Sequence, residues 1–208
     1  MTLQLWIAFV AASTILLLIP GPTVLLVIGY ALSDGRRSAL SVLTGVALGD
    51  FVAMSLSVIG LGALLAASAT AFAMLKWIGA AYLVYLGIAM WRRPVRPAGD
   101  LAARQRSSDL AKLGHAFAVT VLNPKSIAFF VAFVPQFLTP AVPMSAQVPV
   151  LVATFVGLAV ATNFAYAMAA GTLRERIRAP RVLRALNRIG GGVLIGAGVA
   201  TAALRRSG

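Results

Sequence analysis

The stretch LLLIPGPTVLLVIGY, Leu16 to Tyr30, interrupts an apolar run that begins at Leu3. Pro20 and Pro22 flank Gly21. A proline within a helix removes a backbone donor and clashes with the preceding turn, and glycine is a poor helix former. In hydrocarbon, backbone groups released by a break have no water to bind. A chain that breaks there must gain something from the break.

The surroundings of the break are apolar throughout. The chain has 208 residues, 60% hydrophobic and 11% charged. Soluble domains carry about 25% charged residues, and several runs here approach the ~20 apolar residues that cross a bilayer. This predicts a single polytopic membrane domain over residues 1–208, with no separate soluble domain. There is no cysteine, which excludes disulfides and thiolate metal sites, and the lone His115 excludes a histidine cluster. No metal and no cofactor is therefore expected. Before Lys76 the only basic residues are Arg36 and Arg37, so the first run lacks the positive lead of a signal peptide and reads as a mature span.

The net charge is +13, and 14 of the 18 basic residues fall at Arg36–Arg37, Arg92–Lys112 and Arg174–Arg188. Basic residues in alternate loops follow the positive-inside rule. The charge is therefore read as topology, not as a nucleic-acid surface. The apolar runs are Leu3–Leu32, Ser38–Leu65, Ala69–Trp91, Leu113–Leu138, Gln147–Leu173 and Leu186–Leu204. Basic loops follow the first, third and fifth, which makes those loops cytoplasmic and both termini external. The uncharged Thr139–Pro149 reads as an external loop. A polar segment at about 93–112 reads as a cytoplasmic linker between a first half, about 1–92, and a second, about 113–208.

The halves resemble one another. LKWIGAAYLVYLG from Leu75 aligns with LNRIGGGVLIGAG from Leu186, matching Ile78, Gly79, Leu83 and Gly87 to Ile189, Gly190, Leu194 and Gly198. GDFVAM around Asp50 falls opposite TNFAYAM around Asn163, and LIPGP opposite LNPKS. Three spans per half is odd, so duplicated halves are inverted. The expected fold is an all-α integral membrane protein: about six transmembrane helices forming two inverted three-helix repeats, with broken helices in spans one and four. Inverted repeats with broken helices at the midplane belong to secondary transporters.

Counted from the span ends, Pro20, Asp50, Lys125 and Asn163 all lie roughly 15–20 Å deep, near the centre of a ~30 Å core. Gly21-Pro22 and Asn123-Pro124 read as helix restarts, because proline is favoured at the first helical position and asparagine before it. A restart offers free N–H groups and a positive dipole end, which bind carboxylate or phosphate. Prolines that only kink spans for packing are the plainer reading. Pro20, Gly21, Pro22, Thr23, Asn123, Pro124, Lys125 and Asn163 are the candidate substrate-binding residues. Lys125 needs a counter-charge, and Asp50 is the one acid at its depth. Either the two form a static pair that holds spans two and four together, or the pair opens, the substrate carboxylate taking Lys125 and a proton taking Asp50. Asp50 is thus the candidate proton-coupling residue.

Weaker features surround these. Gly45-x-x-x-Gly49 and Gly192-x-x-x-Gly196 permit close helix contact, within the chain or in a homodimer. Trp6, Trp77 and Trp91 read as interface anchors, and His115 as a solvated boundary residue. Ser13, Thr14, Thr23 and Thr44 are candidate cavity hydroxyls, or groups that bond their own backbone.

PGP in span one, GVALGD in span two, LKWIGAAYLVYLG in span three and LNPKSIAFFVAFVPQF in span four together resemble the LysE/RhtB family of amino-acid exporters. The resemblance covers most of the chain and is weakest in the final third. It implies efflux of amino acids through the bacterial inner membrane, driven by the proton motive force, with motif positions at Pro20, Gly21, Pro22, Gly49, Asp50, Asn123, Pro124, Lys125, Pro135 and Gln136. Ala39 and Ala116 stand where the family pattern has glycine. One acid beside a lysine offers little for a cationic side chain and favours neutral substrates. The expected partners are an amino acid, protons and the bilayer. The competing readings are a metal-cation exporter of the same superfamily, a membrane enzyme, and an assembly protein that transports nothing. A divalent cation wants several hard ligands, an enzyme wants a nucleophile–base pair or a metal, and an assembly factor has no use for polar breaks at matched depth.

Overall fold

The computed structural model describes residues 1–34, 38–92, 108–139, 141–172 and 180–203. Among these there are helices and no strand. In chain order they are α1 (Leu3–Leu18), α2 (Pro22–Ser33), α3 (Ser38–Ala67), α4 (Ala69–Arg92), α5 (Asp109–Val121), α6 (Pro124–Ala132) with a 3-10 turn at Val134–Phe137, α7 (Met144–Thr172) and α8 (Pro180–Ala203).

The first apolar run is broken as its prolines require. α1 and α2 meet at 56° around Ile19–Gly21, and Pro22 opens α2. The fourth run breaks likewise: α5 and the α6 segment meet at 45°, with Asn123 as cap and Pro124 in the first turn. α3 and α7 each contain an unbroken stretch long and apolar enough to cross a membrane, 24 and 27 residues. α4 and α8 contribute shorter apolar stretches, Ala73–Ala89 and Arg188–Ala203. Leu40, Leu56, Ile59, Trp77, Ile78 and Ile189 are all more than half exposed. An outer surface this apolar suits lipid, not water.

Some boundaries differ from the sequence-based expectation. The linker ends earlier: Ser108 accepts from the Ala111 N–H at 3.2 Å and starts α5, so Asp109 and Lys112 are helical. Residues 93–107 lie outside the described set. The Thr139–Pro149 loop ends at Pro143, and Pro149 lies inside α7. Gln147, expected to begin the span, is fully buried and clasps the loop instead, bonding the N–H and C=O of Thr139 and the C=O of Val142.

Glycines set the closest helix approaches. A Cβ on Gly45 would fall on the Leu113 carbonyl, and one on Gly49 would lie 2.8 Å from the Thr120 Cβ. That seam joins α3 to α5 within one chain, leaving no room for a second copy there. Ala116 is the small α5 residue that sits against Gly45, its Cβ 2.9 Å from where a Cβ on Gly45 would stand. On α8 the packing glycines are Gly191 and Gly198, which meet Gly87 and Ala80 of α4. The expected Gly192–Gly196 pair does not pack this way: a Cβ at Gly196 meets nothing within 4 Å. The helix turns that motif outward.

The interior holds a large apolar cluster on the N-terminal side and a small one on the side of the basic loops. The first includes Phe9, Met54, Phe129, Phe130 and Phe155, with the Phe130 and Phe155 rings edge-to-face at 4.8 Å. The second includes Val27, Val42, Val46, Ala116 and Ala167. Backbone crowding at Gly45 gives a direct test of the seam. Gly45→Ala is expected to destabilise the protein by about 1–3 kcal/mol through overpacking, while Gly196→Ala leaves it unchanged. Thermal unfolding of the two variants in detergent measures the difference.

Candidate functional site

Between the two apolar clusters lies a polar layer. On α3, Asp50 stands between Val46 of one cluster and Met54 of the other; on α7, Asn163 stands between Ala167 and Ala159. Both spacings are a helical turn, so the polar residue shares the inward face of its apolar neighbours. Thr23, Thr120, Asn123 and Lys125 occupy the same layer at the two breaks. All six are buried.

The first break frees carbonyls at the end of α1, and long-range partners satisfy them. Lys125 Nζ donates to Leu16 O at 3.0 Å and Ile19 O at 2.9 Å. Tyr166 donates to Leu18 O at 2.7 Å. A cation belongs at the negative end of a helix dipole, so Lys125 takes its counter-charge from backbone. This differs from a static Asp50–Lys125 pair: no Asp50–Lys125 bond is within 4.0 Å among the described residues, although each charge acts electrostatically on the other. The ammonium has three donors, and two are used by Leu16 and Ile19. Gly21 keeps its face clear: a Cβ there would stand 3.4 Å from Nζ.

The second break is satisfied locally and across to the first. Asn123 Oδ1 accepts from the Lys125 N–H at 3.1 Å, and its Nδ2 donates to Thr23 Oγ1 at 3.2 Å. Thr23 and Thr120 hydroxyls lie 3.4 Å apart. The side chain of Asn123 therefore occupies part of the donor set expected to be free at this restart. At the α2 restart, Gly21 supplies no side-chain cap. Only there do uncapped first-turn N–H groups face the break.

Of the expected residues, the structure links Gly21 to Lys125, Lys125 to Asn123 and Asn123 to Thr23. Pro22 and Pro124 each open a helix, Pro20 lies in the turn, and Asp50 and Asn163 stand in the same layer on α3 and α7. Thr120 and Tyr166 went unread. Tyr166 lies three positions after Asn163, almost one turn on, which was the available signal. Among the hydroxyls, Thr44 bonds Leu40 O of its own helix at 2.9 Å. Trp6 donates to Thr154 at 3.1 Å, Trp91 donates to the Arg188 carbonyl, and Trp77 is exposed. His115 is not merely solvated: it shares a 3.0 Å hydrogen bond with Tyr30. Nearby, Lys112 pairs with Asp34 at 2.8 Å. Both contacts join α2 to α5 on the basic-loop side.

These features define a helical membrane protein whose two broken helices meet at a buried polar layer. The chain belongs to the LysE-type translocator family, which it matches over residues 14–204. It is 36% identical over 199 residues to an uncharacterized membrane protein of Vibrio cholerae, covering 96% of this chain and 97% of that one. It is 35% identical over 205 residues to a homoserine/homoserine lactone efflux protein of Salmonella typhimurium, covering 97% and 98%. A leucine efflux protein of Enterobacter is 31% identical over 138 residues, covering 65% of this chain and 64% of that one. No solved structure matches. The family is one of translocators, and the Salmonella and Enterobacter relatives are named as efflux proteins, which fits amino-acid efflux through a membrane.

Asn123 bridges both breaks, and its loss should show as stability. Asn123→Ala is expected to cost about 1–2 kcal/mol as a lost helix cap. Combined with Thr23→Val, the double variant should show a coupling of about 0.5 kcal/mol or more, because the two side chains are bonded. Unfolding midpoints of the single and double variants close that cycle.

Proposed function

We propose that the protein exports small neutral amino acids from the bacterial cytoplasm through the inner membrane, in exchange for protons. The carrying observation is Lys125: a buried ammonium with two donors on the α1 carbonyls, beside the uncapped start of α2, in the layer that holds Asp50. A substrate carboxylate takes the remaining Lys125 donor and the Thr23 and Val24 N–H groups. Asp50, which has no hydrogen-bond or ion-pair partner among the described residues, faces the substrate ammonium or binds a proton. Alternation between those two occupants is what couples efflux to protons. The names of the Salmonella and Enterobacter relatives support an amino-acid substrate.

The arrangement we propose is two inverted three-helix repeats, with 93–107 linking them on the cytoplasmic side. Two observations support it. Gly87 meets Gly191 and Ala80 meets Gly198; shifting each residue to its repeat partner exchanges one contact for the other. α3 runs parallel to α5, and α7 parallel to α1, as inverted halves require. The basic loops face the cytoplasm and both termini lie outside. Reporter fusions at residue 96 should read cytoplasmic and fusions at residue 141 external. The opposite readings would reverse the orientation.

Function is tested in vesicles loaded with a labelled neutral amino acid under an imposed pH gradient. Efflux should follow the gradient in the unmodified protein and lose that dependence in Asp50→Asn. A free amino acid should compete at least roughly tenfold better than its amide, given about 1.5–3 kcal/mol for a charge-assisted hydrogen bond. Lys125→Met should nearly erase that difference. Equal competition by acid and amide in the unmodified protein would remove Lys125 from substrate binding.

A further inference from the structure

Two buried polar atoms take no part in the arrangement above. Among the described residues, Ser13 Oγ and Asn163 Oδ1 are the side-chain polar atoms that are buried and have no hydrogen-bond partner. Ser13 is 0% exposed and Asn163 2%. The Asn163 amide is oriented by its own helix: Nδ2 donates to Ala159 O at 2.8 Å, which turns Oδ1 away as a free acceptor.

The two stand at one level. α1 and α7 run side by side, tied by Trp6 to Thr154 and by Tyr166 to Leu18, each pair 148 residues apart. The same offset puts Ser13 level with Ala161, within a turn of Asn163. Both are on inward faces: Ser13 follows Phe9 by one turn and Asn163 follows Ala159, and Phe9 and Ala159 share one apolar cluster. Burial without a partner is costly for either group. Local backbone bonding, which absorbs the hydroxyl of Thr44, has not absorbed that of Ser13.

We propose that Ser13 and Asn163 determine side-chain specificity, Oγ and Oδ1 together holding a small uncharged side chain that bears a hydroxyl. This rests on the export reading, in which Lys125 and Asp50 hold the carboxylate and ammonium common to all amino acids. What remains to be recognised is the side chain. Asn163 Oδ1 only accepts, so it selects a donor; the serine hydroxyl both donates and accepts. A hydroxyl answers both, and an aliphatic side chain leaves both unpaired. A site built to bond a hydroxyl rejects the analogue lacking it far more strongly than an apolar site rejects a methylene.

The test uses the full chain in liposomes and compares initial efflux of L-homoserine and L-2-aminobutyrate, which differ only by that hydroxyl. The unmodified protein is expected to prefer homoserine at least about tenfold, the factor for one lost hydrogen bond of ordinary strength. Ser13→Ala should bring the ratio severalfold closer to one while aminobutyrate efflux stays within about twofold. Its thermal midpoint without substrate should stay the same or rise, since no bond is lost. Asn163→Leu should lower the ratio in the same direction, but Ser13→Ala carries the test alone if the leucine variant fails to insert. Equal efflux of both compounds by the unmodified protein, or an unchanged ratio in Ser13→Ala, overturns this assignment and leaves export standing. A fall in efflux of both compounds alike in Ser13→Ala means a structural role and overturns it too. No efflux of either by the unmodified protein overturns the export reading itself, and this one with it.

Discussion

The centre of this protein depends on carbonyls at the end of α1. A helix that stops in hydrocarbon leaves its last carbonyls without donors, and no water is at hand. Lys125 and Tyr166 supply those donors from other helices. The lysine on its own would be as unwelcome at that depth as the carbonyls. Placed together, each removes the reason the other is costly. The break and the charge therefore stand or fall as a unit, with Lys125 of α6 and Tyr166 of α7 both bonded to the end of α1.

The two breaks are built differently. The second is closed by its own cap, since Asn123 bonds the first free N–H of α6. The first has glycine in that place and borrows partners from afar. The apolar clusters are unlike too. The N-terminal side is filled by interlocking phenylalanines, Phe9, Phe129, Phe130, Phe133, Phe137 and Phe155 among them. On the basic-loop side small aliphatic residues close the interior, aided by the Tyr30–His115 and Asp34–Lys112 contacts. Two halves of similar sequence pattern thus enclose the polar layer with unequal lids.

Much of this was legible in the sequence for a physical reason. Proline restricts the backbone locally, so Pro22 and Asn123-Pro124 announced helix starts that the structure places there. Apolar run length announced the helices long enough to cross a membrane, α3 and α7. Depth counting placed Asp50, Lys125 and Asn163 in one layer, because helical rise is nearly constant. Partner identity was not legible. Asp50 was the obvious counter-charge for Lys125, yet the backbone supplied it, and backbone acceptors have no letter in a sequence. Glycine faces were equally hidden: Gly192 and Gly196 have the spacing of a contact motif, but Gly191 and Gly198 hold the inward side. The beginning of α5 was misjudged because Arg92–Lys112 looks uniformly polar, while Ser108 and Asp109 make a helix start within it.

The glycine seams have a mechanical meaning. The tightest pairings, α3 with α5 and α4 with α8, each join one helix from before residues 93–107 to one from after. Backbone atoms nearly touch along both, and such seams do not slide cheaply. The stiff parts of the protein are therefore not its two sequence halves but composites stitched across them. Any rearrangement that exposes the polar layer meets less resistance along the sparser contacts of α1 and α2 than along either seam. Opening then belongs to the broken first run moving against two composite bodies, and not to one sequence half rocking against the other.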